Sequence, residues 1–423
     1  MNLIPPIICL LILLLCTFYI CSIVISQVKR QKLFNQLHKQ ELLILSEKLK
    51  LMADPVNKLG NNPNNLAWDG YRKFILQGKV LESEGICSFY FSPHDKKPLP
   101  VFMPGQYLTF KVNIPGQTKP ITRCYSLSDS PNHSDYYRVT VKRIPPPRDN
   151  PELDGGLMSN YFHRQLQEGD IVDVKAPSGQ FFLDTEHMNP IVLVGGGVGV
   201  TPVLSMLNYL ASSGQKREVW FFYGVRDSNE HIMLDHINKI DKDNDNIHVQ
   251  ACYSRPLTSD VLTKHYHHKE RVSVDLFKSV LPSNNFDFYL CGAPPMMQSI
   301  VHDLKEWGVS DSKLHFEAFG PATVKKVASE DSHKAKPVSK VSIKFNKSNK
   351  ELDWDGTSSS ILEFAESIGI ALESGCRSGN CGACALPVSK GDVEYFSPQG
   401  ATIEEGDCLT CISTPKTDIV LEA

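Results

Sequence analysis

No run of Lys and Arg interleaved with aromatics occurs in the 423 residues, and the formal net charge is only −3, so nothing points to a nucleic-acid partner. Nor is the chain poor in apolar residues: 41% are hydrophobic and 22% charged, which excludes disorder as the state of most of it. The twelve cysteines lack the spacing of a secreted disulfide framework. The parts of a cleavable signal peptide are missing too. Met1 and Asn2 place no base ahead of the first apolar run, that run is too long, and no small-x-small cleavage site follows it. A chain of this length predicts about two to four domains.

What is present begins with cysteine. Cys376, Cys381 and Cys384 stand at C-x4-C-x2-C, with Cys408 and Cys411 farther on, the pattern that holds a plant-type 2Fe-2S cluster on four thiolates. The glycines between them, Gly375, Gly379 and Gly382, let the backbone approach inorganic sulfide and aim N–H groups at it. Four thiolates also make tetrahedral zinc sites, which usually show two short C-x2-C knuckles rather than one triple cluster and a distant partner. A labile cluster favours a reducing compartment.

Residues 341–423 resemble plant-type ferredoxins, including a helix over 362–370 and a final Leu409-Thr410-Cys411 ahead of a closing strand. The resemblance implies Cys411 as fourth ligand and leaves Cys408 as a packed thiol. This segment carries six Lys/Arg against thirteen Asp/Glu, which suits docking on a basic surface by electrostatic steering; a merely solvated acidic face reads equally well.

At the other end, residues 7–25 form nineteen uncharged positions, long enough to cross a bilayer of about 30 Å hydrocarbon thickness. Lys29, Arg30 and Lys32 follow at once and place the C-terminal side in the cytoplasm by the positive-inside tendency. The expectation is a single-pass anchor over 1–27, and Cys9, Cys16 and Cys21 within it act as small apolar side chains. Leu33, Leu37, Ile44, Leu45, Leu49 and Met52 then space a helix, a stalk or an interfacial element, and Asn, Gly and Pro at 57–65 break it.

Between 68 and 184 the pattern shifts to short strands, over 72–82, 87–92, 106–112, 136–143 and 171–175, which predict a small antiparallel barrel. Within it, Arg123-Cys124-Tyr125-Ser126 resembles the flavin-binding strand of the ferredoxin-NADP reductase superfamily. That resemblance implies Arg123 on a phosphate, Tyr125 stacked on the isoalloxazine and the Ser126 hydroxyl facing the reactive nitrogen. Pro104-Gly105-Gln106-Tyr107 and Pro177-Ser178-Gly179-Gln180-Phe181 are similar to barrel strands of the same superfamily. Gly156, Met158 and Ser159 resemble the start of its diphosphate-binding helix, where free N–H groups suit an anion and the G-x-x-S form favours FAD over FMN. The stretch 123–183 is particularly similar to the reductase part of flavohaemoglobins, with no globin ahead of it.

Next, an apolar strand at 191–194 runs into Gly195-Gly196-Gly197-Val198-Gly199-Val200-Thr201-Pro202, the strand, turn and helix of a dinucleotide unit. Further strands over 219–223, 247–253 and 286–291 complete a parallel sheet. The Cys291-Gly292-Ala293-Pro294 ending resembles the superfamily's nicotinamide loop and implies Cys291 near hydride transfer; a buried small thiol at a strand end is the alternative. Glu317 and Phe319 resemble the E-x-F that flanks the flavin, and Ser254 and Arg255 fall where relatives read the adenosine ribose, leaving NADH or NADPH open.

The fold class expected is therefore multidomain: one transmembrane helix, an antiparallel FAD barrel over 67–185, an α/β parallel-sheet NAD(P) domain over 186–321, and an α+β 2Fe-2S domain over 341–423. A Lys, Ser and Ala segment at 322–340 makes a flexible linker. A nicotinamide gives two electrons as hydride while the cluster accepts one at a time, so the flavin stands between them. This order resembles the reductase components of multicomponent oxygenases and of hybrid cluster protein, and the anchor implies a membrane-associated acceptor such as an oxygenase, hydroxylase or desaturase. The alternatives are electron input to a quinone, although the similar quinone-reductase subunit carries its ferredoxin ahead of its flavin domain, and a non-catalytic membrane-tethered scaffold.

Overall fold

The computed structural model describes residue 40, residues 68–146 and 155–318, and residues 341–423 apart from 355, 378, 380, 397, 398, 400 and 402. By its contacts the chain divides into Met1–Pro55 and Val56–Ala423. The apolar run at 7–25, the helix at 28–52 apart from residue 40, the linker at 322–340 and Phe319 all lie outside the described residues. Among the described residues, no helix is long and apolar enough to cross a membrane.

Six strands, β1 (Arg72–Ser83), β2 (Ile86–Pro93), β3 (Tyr107–Val112), β4 (Ile121–Ser126), β5 (Tyr137–Lys142) and β6 (Ile171–Ser178), make an antiparallel sheet in the order β4-β3-β6-β1-β2-β5. Its two edges meet where Leu127 bridges Val139 and the Ser128 N–H donates to the Arg138 carbonyl at 2.9 Å, so the sheet closes as the expected barrel. Register shifts in β1 near Gly78 and Leu81 add the bend that closure requires. Phe89, Phe91, Leu108, Phe110 and Val139 fill the interior. The Leu157–Arg164 helix plugs one end with Phe162, whose ring lies 5.2 Å from Phe89 and 5.4 Å from Phe110.

The second sheet is parallel, in the order β11-β10-β7-β8-β9, from β7 (Ile191–Gly196), β8 (Val219–Val225), β9 (Ile247–Tyr253), β10 (Asp287–Gly292) and β11 (Leu314–Ala318). Successive side chains of a strand point to opposite faces. Ile191 and Leu193 accordingly enter the core under the Val200–Ser213 and Leu234–Asp243 helices, and Val192 and Val194 the core under Val274–Val280 and Pro294–Glu306. Burial on both faces is why this strand reads as an unbroken apolar run.

The third module has a five-stranded mixed sheet, β13-β12-β18-β14-β16, from β12 (Ser342–Phe345), β13 (Lys350–Asp353), β14 (Ala385–Lys390), β16 (Asp407–Leu409) and β18 (Ile419–Leu421); β15 (Val393–Tyr395) pairs with β17 (Ser413–Pro415) beside it. Its helix, Ile361–Ser367, is capped by the Ser360 hydroxyl, which accepts from the Glu363 N–H at 3.2 Å. The helix stops three residues short of the expected 370 because Gly369 takes a left-handed φ of 75° and the chain turns there.

Candidate electron-transfer site

Residues 373–384 cross from this helix to β14 as a tight loop. Arg377, Gly379 and Gly382 all have positive φ (54°, 77° and 71°), so the chain curls inward with its N–H groups facing the sulfurs. The Cys376 N–H lies 3.2 Å from the Cys381 Sγ, and the Cys381 N–H 3.3 Å from the Cys376 Sγ. Across the loop, the Sγ atoms of Cys384 and Cys411 are 3.0 Å apart. Gly379 must be glycine twice over, for its φ and because an added Cβ would collide with Ile412 Cδ1. Arg377 anchors the curl by hydrogen-bonding the Glu366 carboxylate, with its Nη1 at 3.0 Å.

Cys408 and Cys411 part company in the packing. Cys408 lies in β16 paired with Leu386 and faces the core of Ile343, Phe345 and Ile419, where burial pushes its thiol up to about 12. Cys411 clusters with Cys384 and Ile412 on the other side. The Cys376–Cys381 and Cys384–Cys411 contacts, with N–H groups aimed at the first pair, fit an iron-sulfur cluster.

The barrel strand β4 faces this loop. Tyr125 packs its ring 5.3 Å from Phe162 and 5.9 Å from Phe110, and Ser126 is buried in register with Tyr107. Tyr107 is nearly enclosed, its ring against Gly179 and its hydroxyl without a hydrogen bond of good geometry beside Ser178. Arg123 turns toward the cluster loop: its Nη1 donates to the Thr122 carbonyl at 2.7 Å and to the Ser374 carbonyl at 3.2 Å. At the Leu157–Arg164 helix, Gly156 is an N-cap with no side-chain bond and the first turn holds no acid, leaving N–H groups for an anion. Ser159 shapes that turn, its Oγ donating to the Gly156 carbonyl at 2.9 Å and accepting from the Ile144 N–H at 3.2 Å. The Met158 side chain belongs to the barrel core, so the backbone is what that residue offers a phosphate.

The glycine turn after β7 is built for close approach. A Cβ on Gly199 would lie 2.7 Å from the Cys291 carbonyl and from Gly292 Cα, and one on Gly195 would lie 2.8 Å from Val200 Cα. Gly196 faces Met296 Sδ with no room for a methyl, and Gly197 has φ 55°. The Val200–Ser213 helix begins with no side-chain cap and no acid in its first turn; Thr201 Oγ1 donates to the Val198 carbonyl at 3.1 Å, and Pro202 is buried. Cys291 and Glu317 are register partners at the carboxyl ends of β10 and β11, where parallel sheets bind ligands. Both are buried. Glu317 Oε2 has no hydrogen-bond partner, and burial, with the neighbouring Cys376 second, pushes the carboxyl up to about 8. Burial likewise raises the Cys291 thiol well above its usual range. Ser254 and Arg255 follow β9, tied by backbone bonds to Val225 and Arg226, with Arg255 exposed.

An orphaned buried carboxyl oxygen, an enclosed tyrosine hydroxyl, one uncapped helix start and a close-packed glycine turn fit a flavin dinucleotide and a nicotinamide dinucleotide between barrel and parallel sheet. Sequence reasoning missed Cys124 and Lys175. Cys124 was in view inside the flavin motif, whereas a lone lysine in a barrel strand carries no local signal.

Three family descriptions match the chain: oxidoreductase FAD-binding domain over residues 73–183, oxidoreductase NAD-binding domain over 193–302, and 2Fe-2S iron-sulfur cluster binding domain over 343–416. A flavohemoprotein of Halalkalibacterium halodurans is 41% identical over 255 residues, 60% of this chain and 61% of that protein. The chain thus spans about six tenths of the length of the curated relatives it matches. Among solved structures, the flavohem-like FAD/NAD-binding domain of nitric oxide dioxygenase from Vibrio cholerae O1 biovar El Tor is 33% identical, with TM-score 0.53, covering 60% of this chain and 100% of that one. Phthalate dioxygenase reductase, at 22% identity and TM-score 0.51, covers 86% of this chain and 100% of its own, a likeness of fold that spans all three modules.

Proposed function

We propose, for a chain that belongs to the ferredoxin-NADP reductase superfamily and ends in a 2Fe-2S cluster-binding domain, that it draws electrons from NAD(P)H through FAD to Cys376, Cys381, Cys384 and Cys411 and hands them to a protein acceptor. The observation that carries this is the seating of the thiol loop on the flavin-motif strand, through Arg123 to the Ser374 carbonyl. When bound, FAD takes up hydride and yields electrons singly. The chain's own residues bind, orient and hold protons. The uncapped start of Leu157–Arg164 supplies N–H groups for one diphosphate, and the glycine turn that leads into Val200–Ser213 lets a second approach the backbone closely. Gly199 lets the nucleotide turn lie against Gly292 and Cys291. Burial raises the Glu317 carboxyl above its usual range, which favours its protonated form, and Tyr125 and Ser126 line the barrel side.

The acceptor we infer is an oxygenase, hydroxylase or desaturase at a membrane, since phthalate dioxygenase reductase shares the module order and residues 7–25 have the length and apolarity of an anchor with Lys29, Arg30 and Lys32 behind it. The catalytic modules then face the cytoplasm. Anaerobic mixing with NADH or NADPH tests the reading: flavin bleaching followed by a reduced-cluster EPR signal is the expected result, and bleaching with no cluster signal would refute the relay.

A further inference from the structure

Three adjacent strands of the barrel present one row of residues to the cluster loop. Lys175 on β6 is the register partner of Thr109 on β3, which is the register partner of Cys124 on β4. Thr109 Oγ1 and Cys124 Sγ are 3.3 Å apart, and the Cys124 thiol lies against Gly375. At the row's other end Lys175 Nζ donates to the Cys381 carbonyl at 3.0 Å. The ammonium is held over the Tyr71 ring, 5.3 Å from its centroid, with Lys111 on the same ring at 5.4 Å. Arg123, one residue before Cys124, bonds Ser374 at the loop's start. The loop is therefore held at two carbonyls, and one of them belongs to a proposed ligand residue.

We propose that Lys175 is a positioning residue for the cluster, fixing the Cys381 segment against the flavin-motif strand and tuning the cluster by its charge; this rests on the relay described above. Groups around the ligands set orientation and reduction potential. Transfer of one electron from reduced flavin to the cluster forms and breaks no bond, and adds one negative charge next to this ammonium. Lys175 thus favours the reduced cluster while docked. Its removal lowers the midpoint potential and loosens the seat; an arginine, which keeps the charge and the donor, preserves both.

The test compares the full-length holoprotein with Lys175→Met and Lys175→Arg, after assay of FAD, iron and acid-labile sulfide. An EPR-monitored redox titration gives the cluster midpoint, and anaerobic stopped flow gives the flavin-to-cluster rate. The inference expects a more negative midpoint and a rate lower by about tenfold in Lys175→Met, on the scale of a partly exposed hydrogen bond to a charged group, with both near wild type in Lys175→Arg. Unchanged midpoint and rate in Lys175→Met would overturn it while leaving the relay intact. Loss of cluster or FAD from both variants would also overturn it, by making Lys175 a folding residue. A wild type whose flavin is reduced but whose cluster never is would refute the relay itself.

Discussion

Replacing Asp129 by Ala removes a buried carboxylate at the join between the flavin barrel and the nucleotide domain. Asp129 Oδ2 lies 3.3 Å from Arg138 Nη1 and accepts from the Tyr136 hydroxyl at 2.9 Å, while Oδ1 accepts from the Ser130 N–H at 2.9 Å. The backbone around it is bolted across the domain boundary, with Ser205 Oγ donating to the Asp129 carbonyl at 2.7 Å and Asn208 Nδ2 to the Ser128 carbonyl at 3.2 Å. Ser205 and Asn208 sit on the Val200–Ser213 helix, whose first turn follows the glycine loop, so this join sets how the two dinucleotide sites face each other. Arg138 is 8% exposed. In the variant it keeps the Ser128 carbonyl and hydroxyl, at 2.6 and 3.2 Å, but loses Asp129, the strongest of the charges that balance it. Breaking one side of a buried ion pair costs about 3–5 kcal/mol, and the two surviving bonds put this case near the lower figure. Arg138 and His133 hold the Asp129 carboxyl below its usual range against the opposing effect of burial, which is the first influence on it. The folded value is thus depressed, so the stabilisation is present at neutral pH and is lost as pH falls through that value. Urea unfolding of the FAD-loaded protein at pH 7 and in steps from about pH 4 down to about pH 2, followed by circular dichroism, measures both parts, because the loss falls below the ordinary Asp value of 3.8. A loss under about 1 kcal/mol at pH 7, or a wild-type minus variant difference that does not shrink in acid, would refute the reasoning.

Three further outcomes follow from the same structure. Cys411→Ser should lose iron and acid-labile sulfide while Cys408→Ser keeps them, because Cys408 packs in the other core; the reverse pattern in a metal and sulfide assay would contradict the assignment. Gly199→Ala places a methyl against backbone atoms of Cys291 and Gly292 that cannot step aside, so the KM for NAD(P)H should rise by at least tenfold with FAD content unchanged, and an unaltered KM in steady-state ferricyanide reduction would exclude that contact from the site. Deleting residues 1–52 should give a protein that still reduces ferricyanide but serves a membrane-bound acceptor less well, through lost concentration at the surface. Equal rates with both acceptors before and after deletion would remove the anchor's role.

Periodicity read in the sequence found five barrel strands and four parallel-sheet strands to within three residues, since each buries an alternating or continuous apolar set that local pattern records, whereas the short strands of the third module left no such pattern. The thiol loop was legible for the same reason: Cys376, Cys381 and Cys384 are close in sequence, and the glycines that curl the chain lie between them. The choice of Cys411 came from resemblance, and its packing reason, opposite facing of Cys408 in β16, needs three dimensions. What stayed hidden joins distant residues. Lys175 and Cys381 stand 206 positions apart, and Asn208 meets Ser128 across 80. Such contacts leave no period in the sequence. The orphaned Glu317 oxygen is similar: the E-x-F pattern names the residue, whereas its burial and raised pKa arise only when β11 pairs with β10.

The central claim is that electrons pass from a nicotinamide through the flavin to the thiol-bound cluster within this one chain. Anaerobic stopped flow of the holoprotein with NADH and with NADPH, freezing samples after flavin bleaching for EPR, tests it most directly. The account predicts loss of flavin absorbance first, then a reduced 2Fe-2S signal that is absent from Cys411→Ser although its flavin still bleaches. A cluster that stays oxidised while the flavin is fully reduced, or a flavin that neither nucleotide reduces, would contradict it.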